Sequence, residues 1–249
     1  MQNVSKEKIW FLGRGFEEYL LMFNLNLPDL AHCRVLDCNA GASSFTAQMN
    51  HKGYDVIAAD VLYGQSPEKM ENVSENDFLT LMNAHKDLKN KSNWGFFENH
   101  DQMVEYRMKT YQKFFEHYKT GKDTFYIESK LPELPFPDNS FHLVLSSHLL
   151  FLYDDRLDYN FHLQSVKEMI RVCSQEVRIY PLVRLRSQKN SEFVDQLIQD
   201  ISPDYHTEIQ KVDYHFREGA DEMLRIQKKS GDESRCGLIS TDMIKVEGK

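Results

Sequence analysis

The chain has 249 residues, 41% hydrophobic and 27% charged, with 38 acidic against 30 basic residues and a net charge of -8. That balance describes an ordinary globular protein and disfavours non-specific binding to nucleic acid or anionic membranes. No stretch approaches the roughly 18 apolar residues that cross a bilayer, and Met1-Gln-Asn-Val-Ser-Lys6 lacks an apolar signal core, so a cytoplasmic protein is expected. Four cysteines (Cys33, Cys38, Cys173, Cys236) lack metal-ligand spacing, which predicts reduced thiols and no metal site.

In chain order, Phe16, Tyr19, Leu20 and Phe23 recur at helical intervals and predict a helix over Trp10 to Asn24, ended by Pro28 and Asp29. A strand follows at Arg34 to Asp37, then a small-residue loop and a helix over Ser43 to Lys52. Gly53 stops that helix, and a second strand runs from Asp55 to Ala59. The third strand, Thr124 to Glu128, comes roughly 60 residues later, where one helix and two short loops need far fewer. The excess has helical character over Asp77 to Leu88 and Asn99 to Tyr118 and is rich in aromatics. We read residues 61–123 as a helical cap over the carboxyl ends of the strands, with a helical hairpin packed on the sheet's flank as the alternative.

A fourth strand spans Phe141 to Ser146, with a run of apolar residues as expected where both faces are covered. A helix over Tyr159 to Cys173, a strand over Glu176 to Pro181 and a helix over Glu192 to Ile201 follow. His206 to Val212 and Met223 to Lys228 read as an antiparallel pair with Gly219 near the turn. The alternation predicts one α/β domain over residues 1–230, with a polar tail over 231–249. The expected architecture is Rossmann-like and doubly wound: a mostly parallel seven-stranded sheet, a helical insertion between strands two and three, and an antiparallel C-terminal pair.

The segment with the most chemistry is Arg34-Val-Leu-Asp-Cys-Asn-Ala-Gly-Ala-Ser-Ser-Phe45. A strand, a tight turn and a helix, with Asp60 closing the next strand, suit a nucleoside-bearing cofactor. Small residues let the backbone approach the ligand, and Asp60 can accept from ribose hydroxyls. A phosphate-binding Walker loop needs Lys-Ser/Thr at its end, and Ser43-Ser44-Phe45 has no lysine. A dinucleotide wants three spaced glycines, and Gly41 stands alone, which leaves a nicotinamide oxidoreductase as a minor alternative.

The pattern resembles the class I S-adenosylmethionine-dependent methyltransferases. Asp37-x-Asn-x-Gly-x-Ser-x-Phe45 stands where that family shows Asp-x-Gly-x-Gly-x-Gly-x-Phe. Glu133-Leu-Pro-Phe-Pro-Asp-Asn-Ser-Phe-His-Leu-Val144 resembles the stretch leading into its fourth strand, and Glu168-Met-Ile-Arg-Val172 its helix before the fifth. The likeness is nearest to an uncharacterised bacterial, Bacillus-type branch. It implies S-adenosylmethionine as cofactor and a small-molecule acceptor, with in-line methyl transfer as the reaction. A methyltransferase-like protein that binds a donor or partner without catalysis is the alternative.

By this resemblance Asp37, Asn39, Gly41, Phe45 and Asp60 form the donor site, with Val61 and Leu62 along the adenine. Ser129 and Leu131 take over there from an acid that the family carries near Lys130. Ser146 and Ser147 border the methionine moiety, and Arg14 or Tyr19 closes its amino-acid end. Asn39 tolerates the left-handed turn of a lost glycine, and Ser43 can cap the following helix. His148, just past the fourth strand, is the candidate general base, ahead of Tyr153, Asp154 and His100.

Overall fold

The computed structural model describes residues 9–84, 94–185 and 187–229, apart from a few side chains within 74–84. The expected tail over 231–249 and the end of the Asp77 to Leu88 helix lie outside the described residues. Seven strands form one sheet: β1 (Arg34–Cys38), β2 (Asp55–Asp60), β3 (Tyr126–Glu128), β4 (Phe141–Ser147), β5 (Cys173–Tyr180), β6 (Tyr205–Lys211) and β7 (Glu222–Lys228). Their order is β3-β2-β1-β4-β5-β7-β6. The first five run parallel, and β7 pairs antiparallel with both β5 and β6. This is the mostly parallel, Rossmann-like α/β sheet that the sequence predicts.

Strand side chains alternate between two cores, because successive residues point to opposite faces. Val35, Val56, Leu143 and Leu145 face α1 (Phe16–Met22) and α2 (Phe45–His51). Leu36, Ile57 and Val144 face α5 (Tyr159–Val172) and α6 (Glu192–Ile201). Helices on both faces explain why β4 is apolar almost throughout. On α6, Val194, Leu197 and Ile201 recur at helical spacing and are all buried, while Ser191 caps its start through Phe193 N–H.

Two sequence segments that carry the family resemblance hold each other. The Arg171 guanidinium reaches the Asp138 carboxylate and the carbonyl oxygens of Leu134 and Phe136, and it pairs with Glu168. Glu168 accepts from Leu134 N–H. The Pro-Phe-Pro-Asp-Asn-Ser turn, with Asn139 at φ +55°, is thereby clamped to α5 and feeds β4 at a fixed height. Both motifs are scaffold; neither supplies a reacting group.

The structure departs from expectation at the N-terminus. The first helix starts at Phe16, not Trp10, and residues 9–15 form an extended strap. Gly13 explains the break: a Cβ there would lie 1.8 Å from the carbonyl oxygen of Ala42. The helices α3 (Pro67–Ala84) and α4 (His100–Gly121) pack on the flank. The aromatic side chains of Tyr63, Phe114, Phe115, Tyr118 and Tyr126 form a core there with Phe11 and Ala58. Among the described residues of the insertion only Val61 and Leu62 line the strand ends, and the strap lies over them. Cys38 and Cys173 are free and buried.

Candidate functional site

A cleft of about 820 Å³ opens at the carboxyl ends of β1, β2 and β4, under the strap. Ligands of open α/β sheets bind at this place, where the strand order reverses. Of the residues expected to form the site, Arg14, Tyr19, Asn39, Gly41, Asp60, Val61, Leu62, Ser129, Leu131, Ser147 and His148 line it.

The turn after β1 forms as its residues dictate. Asn39 and Gly41 both take left-handed backbone angles, φ +55° and +59°. Asparagine tolerates that region and glycine is free in it. Asn39 Nδ2 donates to the Ser147 carbonyl, and Asn39 Oδ1 accepts from Ser146 Oγ at 2.8 Å, so the turn is tied to the end of β4. Gly41 N–H donates to Asp60 Oδ2 and Leu62 N–H to Asp60 Oδ1, both at 3.1 Å. The Asp60 carboxylate thus spans the tips of β1 and β2 while facing the cleft. Burial pushes its pKa up to about 6, against the backbone donors that hold it down. Ser43 Oγ accepts from Phe45 N–H at 3.1 Å from one position before Ser44, the N-cap of α2, whose own side chain makes no capping bond.

Asp37, Phe45 and Ser146 do not line the cleft. Alternation along β1 turns Asp37 inward. Its Oδ1 accepts from Tyr19 Oη at 2.9 Å, and its Oδ2 is buried without a hydrogen-bond partner. Burial raises its pKa well above the carboxylate range. Phe45 stacks under Tyr19 with ring centroids 4.6 Å apart, a packing role. Ser146 is fully buried on Asn39. Lys130 is exposed at the rim, as its charge requires.

His148 takes φ +59°, and its N–H donates to the Tyr180 carbonyl. Nδ1 lies 2.7 Å from Ser147 Oγ, and Nε2 accepts from Arg14 Nε at 3.2 Å. The proton is thereby assigned to Nδ1. Burial, then Arg14, Arg107 and Arg217, hold its pKa well below 6.5, so the imidazole is neutral. Tyr153 also lines the cleft, whereas Asp154 does not: it bonds Arg184 and Ser191. His100 lies outside the cleft too, beside Trp94 at the start of α4.

Sequence reasoning missed the strap and the loop between β6 and β7. Trp10, Phe11 and Leu12 line the cleft from the strap, and Phe216 and Arg217 from that loop. The strap is fixed from three sides. Phe11 N–H donates to Asp77 on α3, Arg107 on α4 donates to the Gly13 carbonyl, and Ser43 Oγ donates to the Arg14 carbonyl. Glu18, fully buried, pairs with Arg107 and accepts from Tyr214 Oη and Gly15 N–H. Gly13 and Gly15, flanking Arg14, were the available sign that no helix starts at Trp10. Arg217 had no such sign beyond the nearby Gly219, at φ +77°.

The fold and site define an α/β protein with a Rossmann-like sheet and a ligand cleft at its switch point. The chain is 39% identical over 230 residues to the uncharacterised protein MJ0045 of Methanocaldococcus jannaschii, covering 92% of this chain and all of that one. The chain belongs to the family of that protein. This relative is archaeal and lends the Bacillus-type branch no support. No family model matches the chain.

Similar solved structures include 1,6-didemethyltoxoflavin-N1-methyltransferase of Burkholderia thailandensis with bound S-adenosylhomocysteine. It is 12% identical at TM-score 0.48, covering 86% of this chain and 78% of that one. Magnesium protoporphyrin IX methyltransferase of Synechocystis, with bound S-adenosylhomocysteine, is 11% identical at TM-score 0.46, with 85% and 80% covered. A methyltransferase of Aquifex aeolicus is 15% identical at TM-score 0.43, with 86% and 89% covered. Among the described residues no helix is long and apolar enough to cross a membrane, and no group of His, Cys, Asp or Glu is arranged to hold a metal.

Proposed function

We propose that the chain is an S-adenosylmethionine-dependent methyltransferase acting on a small molecule. The observation that carries this reading is the Asp60 carboxylate, locked across the β1 and β2 tips and open to the cleft. It offers acceptors where two ribose hydroxyls would lie, and no glycine-rich cradle for a pyrophosphate stands beside it. Val61 and Leu62 supply an apolar flank for adenine, with backbone groups of Ser129 and Leu131 opposite. Asn39, Gly41, Tyr19 and Ser147 bound the amino-acid end. Arg14 is suited to the donor's carboxylate, a charge-assisted and potentially bidentate contact.

In the transfer, the methyl carbon's bond to sulfur breaks as a bond to the acceptor atom forms. The sulfur keeps the electron pair and becomes a neutral thioether. The protein's main contribution is alignment of the two reactants. When Arg14 turns to the donor's carboxylate, His148 Nε2 is released and can take the acceptor's proton. The surrounding arginines disfavour imidazolium, so gain of a proton at Nε2 is matched by loss of the Nδ1 proton through Ser147 Oγ to solvent.

Isothermal titration with S-adenosylhomocysteine tests the reading: binding in the micromolar range supports it, and no heat at millimolar ligand refutes it. Mass spectrometry of a methylated product from small-molecule extracts separates catalysis from donor binding alone.

A further inference from the structure

The donor site uses the part of the cleft over β1, β2 and β3. Over β4 and β5 lies a second part, and its walls are of another kind. Leu152, Tyr153, Leu157, Phe161, Leu185 and Phe216 make it largely apolar. Into this apolar pocket the chain sends cations. Arg217 comes from the loop between β6 and β7, and its Nη1 donates to the carbonyl oxygens of Arg184 and Leu185, just past β5. Arg14 stands between the two parts, on His148.

Both guanidinium groups are half-buried and line the cleft, and neither has a carboxylate partner among the described residues. The acids that could have served are committed elsewhere. Glu18 is held by Arg107, Tyr214 and Gly15, and Asp154 by Arg184 and Ser191. Burial, and then Arg14, lower the pKa of Arg217 from its ordinary value, the direction expected of two cations sharing a poorly solvated space. Desolvating a cation without a counter-ion is costly, and an anionic ligand entering the cleft removes that cost. Folded proteins rarely keep such a pair unless something negative is to be held there.

We propose that the methyl acceptor is an organic anion, a carboxylate or phosphate on an aromatic or aliphatic body, with its charged group on Arg217 and its body against the apolar wall over β4 and β5. The assignment rests on the donor reading, which places the donor's own carboxylate on Arg14 and leaves Arg217 for the acceptor. Guanidinium recognises either anion through paired N–H donors. The apolar wall selects against small inorganic anions, which have nothing to bury.

The test is isothermal titration of the full chain, alone and saturated with S-adenosylhomocysteine. The probes are benzoate, phenyl phosphate and the neutral twin benzyl alcohol. At least one anion is expected to bind the saturated protein about tenfold more tightly than benzyl alcohol. Arg217→Gln should abolish that preference while leaving S-adenosylhomocysteine affinity within about twofold. Arg217→Lys, which keeps a cation at the site, should retain part of the preference and guards against a fold defect in the glutamine variant. Equal binding of anions and benzyl alcohol, or a preference that survives Arg217→Gln, overturns the proposal. So do anions that bind only the free chain and are displaced by S-adenosylhomocysteine, because the charge would then belong to the donor's carboxylate site. If S-adenosylhomocysteine does not bind while an anion preference still follows Arg217, the donor reading fails and the anion site stands.

Discussion

The cleft floor over β1 and β2 carries one carboxylate, Asp60, with Asp37 buried outside the lining, whereas the wall over β4 and β5 carries arginines drawn from residues 14, 156 and 217. Asp37 and Asp60 lie one strand apart, and burial raises the pKa of both. Arg14 and Arg217 come from opposite ends of the chain, and burial lowers the pKa of both. Among the described residues one part therefore has carboxyl groups without a cation partner, and in the other Arg14 and Arg217 have no carboxylate partner, while Arg156 pairs with Asp155. A zwitterionic ligand carrying a sulfonium is complementary to that division. The two parts also differ in how they are held. Backbone turns fix the acidic floor, while long-range contacts from α3, α4 and the β6–β7 loop fix the basic wall.

The comparison breaks most sharply at Glu18. Glu18→Ala leaves Arg107 buried with its counter-ion gone and frees the strap from Tyr214 and Gly15. The expected loss is about 3–5 kcal/mol in stability, read by denaturant unfolding. The floor should feel it too, since the strap roofs both parts. If donor affinity measured below the unfolding transition is unchanged, the strap does not close the donor site.

Asp60→Asn comes next. The floor loses its charge, and the amide NH2 faces one of the two backbone N–H donors of Gly41 and Leu62, so one tip hydrogen bond goes as well; S-adenosylhomocysteine affinity should fall about tenfold or more by calorimetry, roughly 1.4 kcal/mol. Unchanged affinity would move the ribose away from β2.

Gly41→Ala tests where floor and strap meet. At φ +59° a side chain is strained, and the new Cβ would lie 2.4 Å from the Leu12 carbonyl oxygen. A stability loss of about 1–3 kcal/mol is expected, with faster amide exchange in residues 9–14 than in β1. Equal exchange in both would mean that the strap does not yield independently.

The smallest effect is in pH. Asp60 titrates near 6 in the folded chain against an ordinary 3.8. Between those values the folded chain holds the extra proton, so this group's contribution to stability falls as pH rises through the window and is level above it. Donor binding favours the ionised form, so S-adenosylhomocysteine affinity should weaken as pH falls below about 6 in the wild type and stay flat in Asp60→Asn. A wild-type profile flat to pH 5 would contradict the role given to this carboxylate.

The division also explains what could be read from the sequence. Strand ends, the Asn39 and Gly41 turn and the Pro-Phe-Pro-Asp-Asn-Ser segment are local features, fixed by residues a few positions apart. All seven strands were legible for the same reason, through apolar runs and turn residues. The strap was misread because Trp10, Phe11 and Leu12 continue a helical spacing, although they serve the cleft and the core around Phe11 rather than a helix face. Composition shows that the aromatic side chains of the insertion will be buried, not against which surface, so cap and flank hairpin stayed open in the sequence. Asp37 and Phe45 are site residues by the resemblance, and in the structure both pack on Tyr19 away from the cleft lining. The arginine wall could not be foreseen, since it exists only once the loop near Gly219 folds over the end of β5.

The account stands or falls on how a donor divides the cleft, and a crystal structure of the chain with S-adenosylhomocysteine shows that directly. The prediction is a ribose on Asp60, an adenine along Val61 and Leu62, a carboxylate on Arg14, and Arg217 untouched. A ligand whose ribose lies against Arg156 and Arg217 instead, with Asp60 facing solvent, would contradict it.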